Sequence, residues 1–202
     1  ASRLGEYVAA DRLFEEARAH APTGSRAELS LCANWCVSRA VRREPEALPL
    51  GRRAVALCAT HDDRLTLPVA LHNLARAQLA LGDPGAAGRS LRRAIALAQR
   101  DREGFLPDLH ARLAEVLAPS RPDEAVRHLE VAEVGARAVG NRRILGLVPF
   151  LRAACARQRG EGAAARTLDE RALEHAGALD ADTLAALQVF LATGSPWPQP
   201  VS

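Results

Sequence analysis

Cys32 and Cys36 stand four residues apart, a spacing that puts both thiols on one face if the segment is helical. Thiolates and imidazoles are the ligands of tetrahedral zinc, so these two cysteines with His72 and His110 would make a complete four-ligand set. Structural zinc signatures, however, rest on tight C-x-x-C loops, whereas this set draws on three separate segments. All four cysteines, Cys32, Cys36, Cys58 and Cys155, are also too unevenly spaced for a secreted disulfide framework. Reduced, mostly buried thiols are the economical reading, and neither a metal nor a cofactor is assigned.

Other chemistry is sparse. The chain has no nucleophile elbow, no phosphate-binding glycine loop, no H-E-x-x-H and no paired acids around a likely cleft. The acidic pairs Glu15-Glu16, Asp62-Asp63 and Asp123-Glu124 sit beside arginines at helix starts or on outer faces, where the helix dipole and solvation explain them. An enzyme is therefore not expected. Trp35 either packs between helices or offers a flat apolar contact to a ligand, and Trp197 lies in the extended sequence S-P-W-P-Q-P.

These residues need a scaffold, and composition points to helices. Hydrophobic residues make up 48% of the 202, yet aromatics are only 3%, so the apolar content is mostly Ala, Leu and Val. All 27 basic side chains are arginine, offset by 24 acids, and the net charge of +3 forms no basic block of the kind nucleic acid requires. No run approaches the roughly 18 apolar residues that span a bilayer and no leader opens the chain, so the cytoplasm is the expected location. The absence of any Met suggests a piece of a larger protein.

The chain is self-similar. Residues 5–22 place Gly5 and Tyr7 at a turn, then Ala10, Phe14 and Ala17 on one helical stripe, then Pro22 as a stop. Leu71, Leu74, Ala75, Gly82, Ala87, Leu91 and Ala94 make a full helix, turn and helix. In L-G-D-P-G at 81–85, Gly82 ends one helix, Asp83 caps the next and Pro84 takes its first position. The register alanines fall at Ala10, Ala47, Ala87, Ala125 and Ala164, in steps of 37, 40, 38 and 39 residues. Further turn signals at Glu44-Pro45, Ser120-Arg121-Pro122 and Gly160-Glu161-Gly162 agree with the marks, and Asn141 is placed to open a helix.

These two patterns resemble the tetratricopeptide repeat, whose period is about 34 residues, shorter than the steps here. The resemblance implies an all-α, right-handed α-α superhelix of tetratricopeptide-like helix pairs with a C-terminal closing helix. Residues 1–194 would form a single domain: a half-repeat over 1–22, pairs over 26–60, 65–100, 105–139 and 141–177, and the closing helix over 180–193, capped by Asp180. The tail 195–202 would be extended. The fifth unit departs most, with Arg171 near a small-residue position and Pro149 predicting a kink or break.

The resemblance also implies that first helices line a concave, ligand-binding face. Counting back from the register alanines puts Cys32, His72 and His110 at equivalent inward positions, with Cys36 and Arg76 one turn further on. Asn73 with Arg76 is similar to part of the clamp by which such domains hold a terminal carboxylate, and Arg39, Arg76 and Arg112 are the nearby cations. The ligand-binding candidates are thus Cys32, Trp35, Cys36, Arg39, His72, Asn73, Arg76 and His110. Stretches such as A-L-H-N-L-A-R-A-Q-L-A-L-G-D-P-G-A-A resemble the helical regions of large actinobacterial LuxR-type or antibiotic-regulatory transcription activators. The implied function is a non-catalytic module binding a protein, a peptide or a small-molecule effector within such a regulator. The alternatives are a structural scaffold, a homo-oligomerisation array or a small-molecule receptor. Direct nucleic-acid binding and a membrane are not expected.

Overall fold

The computed structural model of the chain describes the backbone of residues 3–101 and 103–174 and the side chains of 9–99 and 103–174. Among the described residues there are nine α-helices and no strand. They are α1 (Arg3–His20), α2 (Arg26–Val41), α3 (Ala47–Thr60), α4 (Leu67–Ala80), α5 (Pro84–Asp101), α6 (Leu106–Leu117), α7 (Pro122–Ala138), α8 (Arg142–Gln158) and α9 (Gly162–Glu174), with a 3-10 turn at Glu103–Phe105. The expected closing helix at 180–193 and tail at 195–202 lie outside the described residues.

Helix ends follow the local chemistry. Asp83 accepts from the Ala86 amide at 2.8 Å, Ser25 from Glu28 at 3.1 Å and Asn141 from Ile144 at 3.2 Å, each satisfying a first-turn donor. Five helices end in the same turn, in which an amide reaches back to a carbonyl five residues earlier. The pairs are Glu44 to Arg39, Asp63 to Cys58, Asp83 to Gln78, Asn141 to Ala136 and Glu161 to Ala156. Gly82 takes the left-handed conformation this turn needs, at φ +84°.

The chain divides into two compact units, Ala1–Glu103 and Gly104–Ser202. In the first, α1 packs on α2, α2 on α3, α3 on α4 and α4 on α5, and α2 also meets α4. In the second, α6, α7, α8 and α9 pack in sequence and α6 also meets α8. Within each unit, then, every helix packs on its successor and the first helices of adjoining pairs touch.

Small residues at the register positions allow this. Ala47 and Ala54, Ala87 and Ala94, and Ala125 and Ala132 are all fully buried. In α9 the equivalent alanines are Ala165 and Ala172, whereas Ala164 and Arg171 are exposed. The fifth register mark therefore lies one residue later than expected. With that correction Arg171 occupies no small-residue position. Gly51 brings α3 closest: a Cβ there would lie 3.0 Å from both the Cys36 sulfur and Leu74 Cδ1.

Two further expectations are corrected. Gly5 and Tyr7 lie inside α1, which starts at Arg3, because nothing in that stretch costs a helix more than the single glycine does. Of the kink or break expected at Pro149, the break does not occur: α8 runs through that residue from Arg142 to Gln158, although proline removes one backbone donor. Burial of Ile144, Val148, Phe150 and Leu151 on the same helix outweighs that loss.

Candidate functional site

The proposed binding residues of the first unit sit on α2 and α4. Cys32 packs in an apolar cluster with Leu29, Ala33, Ala54, Leu57, Cys58 and Ala70, and Cys36 in a second with Ala40, Ala47 and Ala77. Asn73 is buried and works as a tie between helices. Its Nδ2 donates to the Ala33 carbonyl at 3.0 Å, and its own carbonyl lies 3.5 Å from the Cys36 sulfur, which donates to it. Burial pushes the Cys32 thiol up and the Cys36 thiol up to about 11, the latter partly offset by the nearby Arg76 charge. Cys58 and Cys155 are likewise raised to about 11 by burial. These thiols stay protonated at neutral pH, which makes them poor nucleophiles and poor metal ligands. Among the described residues no group of three or more His, Cys, Asp or Glu is placed to hold a metal.

Trp35 is also buried, between α1 and α2, rather than on an open groove. Its indole N–H donates to Asp11 Oδ1 at 2.9 Å and the Ser38 hydroxyl donates to the same oxygen at 2.9 Å. Arg42 donates to Asp11 Oδ2, and Arg39 Nε approaches that oxygen at 3.0 Å as an ion pair without a hydrogen-bond alignment. The Arg39 guanidinium also lies 5.2 Å from the Trp35 ring centroid, Arg18 lies 5.7 Å from it, and Phe14 stacks on the ring at 6.1 Å. Arg39 further pairs with Glu15 at 3.5 Å and with Glu44. Asp11 was not singled out from the sequence, though one signal marks it. The residue after each register alanine is Leu48, Gly88 and Val126 in α3, α5 and α7, so an acid at that position in α1 is unusual.

His110 belongs to the second unit. It is buried on α6, with its Nδ1 2.9 Å from His128 Nδ1 on α7 and the ring centroids 5.1 Å apart. Burial, followed by repulsion from His128, holds His110 down at about 4, so its ring is neutral at pH 7. One ring donates and the other accepts, a neutral pairing that a second proton would break. His128 was also not singled out. It stands three residues after its register alanine, where α1, α3 and α9 carry Leu13, Leu50 and Leu168. On the same helix as His110, Arg112 pairs with the buried Glu115.

Of the eight candidates, Cys32, Trp35, Cys36, Asn73 and His110 are buried, while Arg39, His72 and Arg76 are half-buried. Arg39 is already paired with Asp11, Glu15 and Glu44, so what the first unit's candidate set turns towards solvent is His72 and Arg76, one turn apart on α4. Such groups suit an anionic ligand, because guanidinium pairs with carboxylate through charge-assisted hydrogen bonds. No helix of the described residues is long and apolar enough to cross a membrane. No model of a known protein family matches the chain, and no curated protein matches it in sequence.

Proposed function

We propose that the chain is a non-catalytic module of tetratricopeptide-like helix pairs, of the kind that stack into a right-handed superhelix, and that it binds an acidic protein or peptide segment. One observation carries the reading. The same Ala-x6-Ala stripe recurs in α3, α5, α7 and α9 at steps of 40, 38 and 40 residues and is buried every time. Such regularity builds an extended binding surface in repeat proteins. His72 and Arg76, half-buried one turn apart on the first helix α4, support an acidic ligand for that surface. Membership of a larger bacterial transcriptional regulator, where a small-molecule effector would take the peptide's place, rests on the resemblance alone.

The test is a display library of random dodecamer peptides panned on the immobilised chain. Enrichment of acidic peptides that bind the chain, with at least a tenfold loss in a His72→Ala, Arg76→Ala double variant of unchanged helicity, supports the reading. Peptides that bind both proteins equally, or no enrichment, overturn it.

A further inference from the structure

Two segments of the first unit are nearly identical. Arg52-Arg53-Ala54-Val55-Ala56-Leu57 in α3 returns as Arg92-Arg93-Ala94-Ile95-Ala96-Leu97 in α5, forty residues later and at the same distance from the register alanine. Ala54 and Ala94 are fully buried, and both helices pack on α4. The arginines, in contrast, are exposed, and packing does not require them. The same two places, equally exposed, hold Glu15 and Glu16 in α1, Glu130 and Val131 in α7, and Glu170 and Arg171 in α9.

The outer faces of α3 and α5 thereby differ from those of the other second helices. They carry Arg52 and Arg53, then Arg89, Arg92 and Arg93, and neither helix holds an acid before Asp101. Arg53 is held by Glu28 through two bonds of 2.8 Å, whereas Arg52, Arg89 and Arg93 form no ion pair with a described residue. The other exposed residues there are neutral and mostly small, such as Ala56 and Ala59 on α3 and Gly85 and Ala96 on α5. The charge balance that holds for the chain as a whole, and that speaks against nucleic acid in the sequence, does not hold on this surface.

We propose that this surface holds the phosphate backbone of duplex DNA through Arg52, Arg89 and Arg93, without reading the base sequence. The occupant follows from what projects. Guanidinium meets phosphate through paired hydrogen bonds, and a cationic place that repeats suits a ligand whose anions repeat. A protein partner would need a central apolar or aromatic anchor, a membrane surface bulky apolar side chains, and a single strand aromatic rings for its bases. No aromatic residue lies on α3 or α5, and no large hydrophobic residue is exposed on either. Base edges call for amide or hydroxyl groups, and an RNA duplex for partners to its 2′-hydroxyls, whereas guanidiniums over a floor of small residues reach phosphate alone. These arginines are not those of the acidic-ligand reading, and the site goes beyond it.

The test titrates the full chain into a fluorescein-labelled DNA duplex of mixed sequence and follows anisotropy over a series of sodium chloride concentrations. Saturable binding is expected, with similar affinity for a second, unrelated sequence. The triple variant Arg52→Ala, Arg89→Ala, Arg93→Ala should bind at least tenfold more weakly, and its slope of log affinity on log salt should flatten by about 2–3. The variant Arg166→Ala, Arg171→Ala, on the mixed-charge face of α9, should bind as the wild type does. So should His72→Ala, Arg76→Ala, which separates failure here from failure of the acidic-peptide reading. The substituted arginines of α3 and α5 are exposed, so circular dichroism should be unaltered; if the triple variant loses helicity, Arg89→Gln with Arg93→Gln decides. No binding, wild-type affinity in the deciding variant, or a tenfold loss in the α9 variant overturns the proposal. So does tighter binding of polyglutamate, phosphatidylserine vesicles, single-stranded DNA or an RNA duplex of equal length, because the occupant is then of another class.

Discussion

Acid should weaken the second unit through a single histidine. His110 is 8% exposed and is held at about 4, whereas an unfolded histidine titrates near 6.5. The folded chain therefore keeps this ring neutral while the unfolded chain takes up a proton. Stability falls as pH drops from about 6.5 towards about 4 and levels off below that, where both states are protonated. At about 1.4 kcal/mol per pH unit, lowering the pH from 7 to 4.5 should cost about 2 kcal/mol through this group. His110→Gln keeps a polar side chain at the site but cannot be protonated. Urea unfolding followed by circular dichroism at the two pH values should show the wild type losing about 2 kcal/mol more than the variant. Hydrogen exchange read by mass spectrometry should place the difference in α6 and α7. Equal pH dependence of the two proteins would refute the reasoning, since carboxylates elsewhere titrate in both.

Two substitutions test the packing of the first unit. Asp11→Ala leaves the Trp35 indole N–H, the Ser38 hydroxyl and the Arg42 guanidinium without their shared acceptor, at a cost of about 3 kcal/mol. In a Trp197→Phe background the Trp35 emission should shift to the red as α1 loosens, and an unshifted spectrum with unchanged stability would contradict the assignment. Gly51→Ala puts a methyl 3.0 Å from both the Cys36 sulfur and Leu74 Cδ1, and should destabilise by about 1–2 kcal/mol despite alanine's better helix propensity, as read by thermal unfolding.

The sequence by itself determined the helices and their order, because those follow from short-range signals. The Gly82-Asp83-Pro84 turn, the Asn141 cap and the alanine period each act within a few residues, and all are present in the folded chain. Its failures on the described residues were also local. Ala164 and Ala165 are adjacent alanines that composition cannot tell apart, and Pro149 predicts a break only until the burial of its neighbours is counted.

What tertiary structure decided is which way the side chains of the first helices face. Spacing placed Cys32 and His72 at equivalent inward positions with Cys36 and Arg76 one turn further on, but whether those positions meet solvent or the next helix depends on how α4 seats against α2. The same holds for Asp11 with Trp35 and for His110 with His128. Each pair joins residues 24 and 18 positions apart, respectively, on different helices, and only the packing of those helices brings the groups within hydrogen-bonding reach. Burial then sets their chemistry, keeping the thiols protonated and His110 neutral.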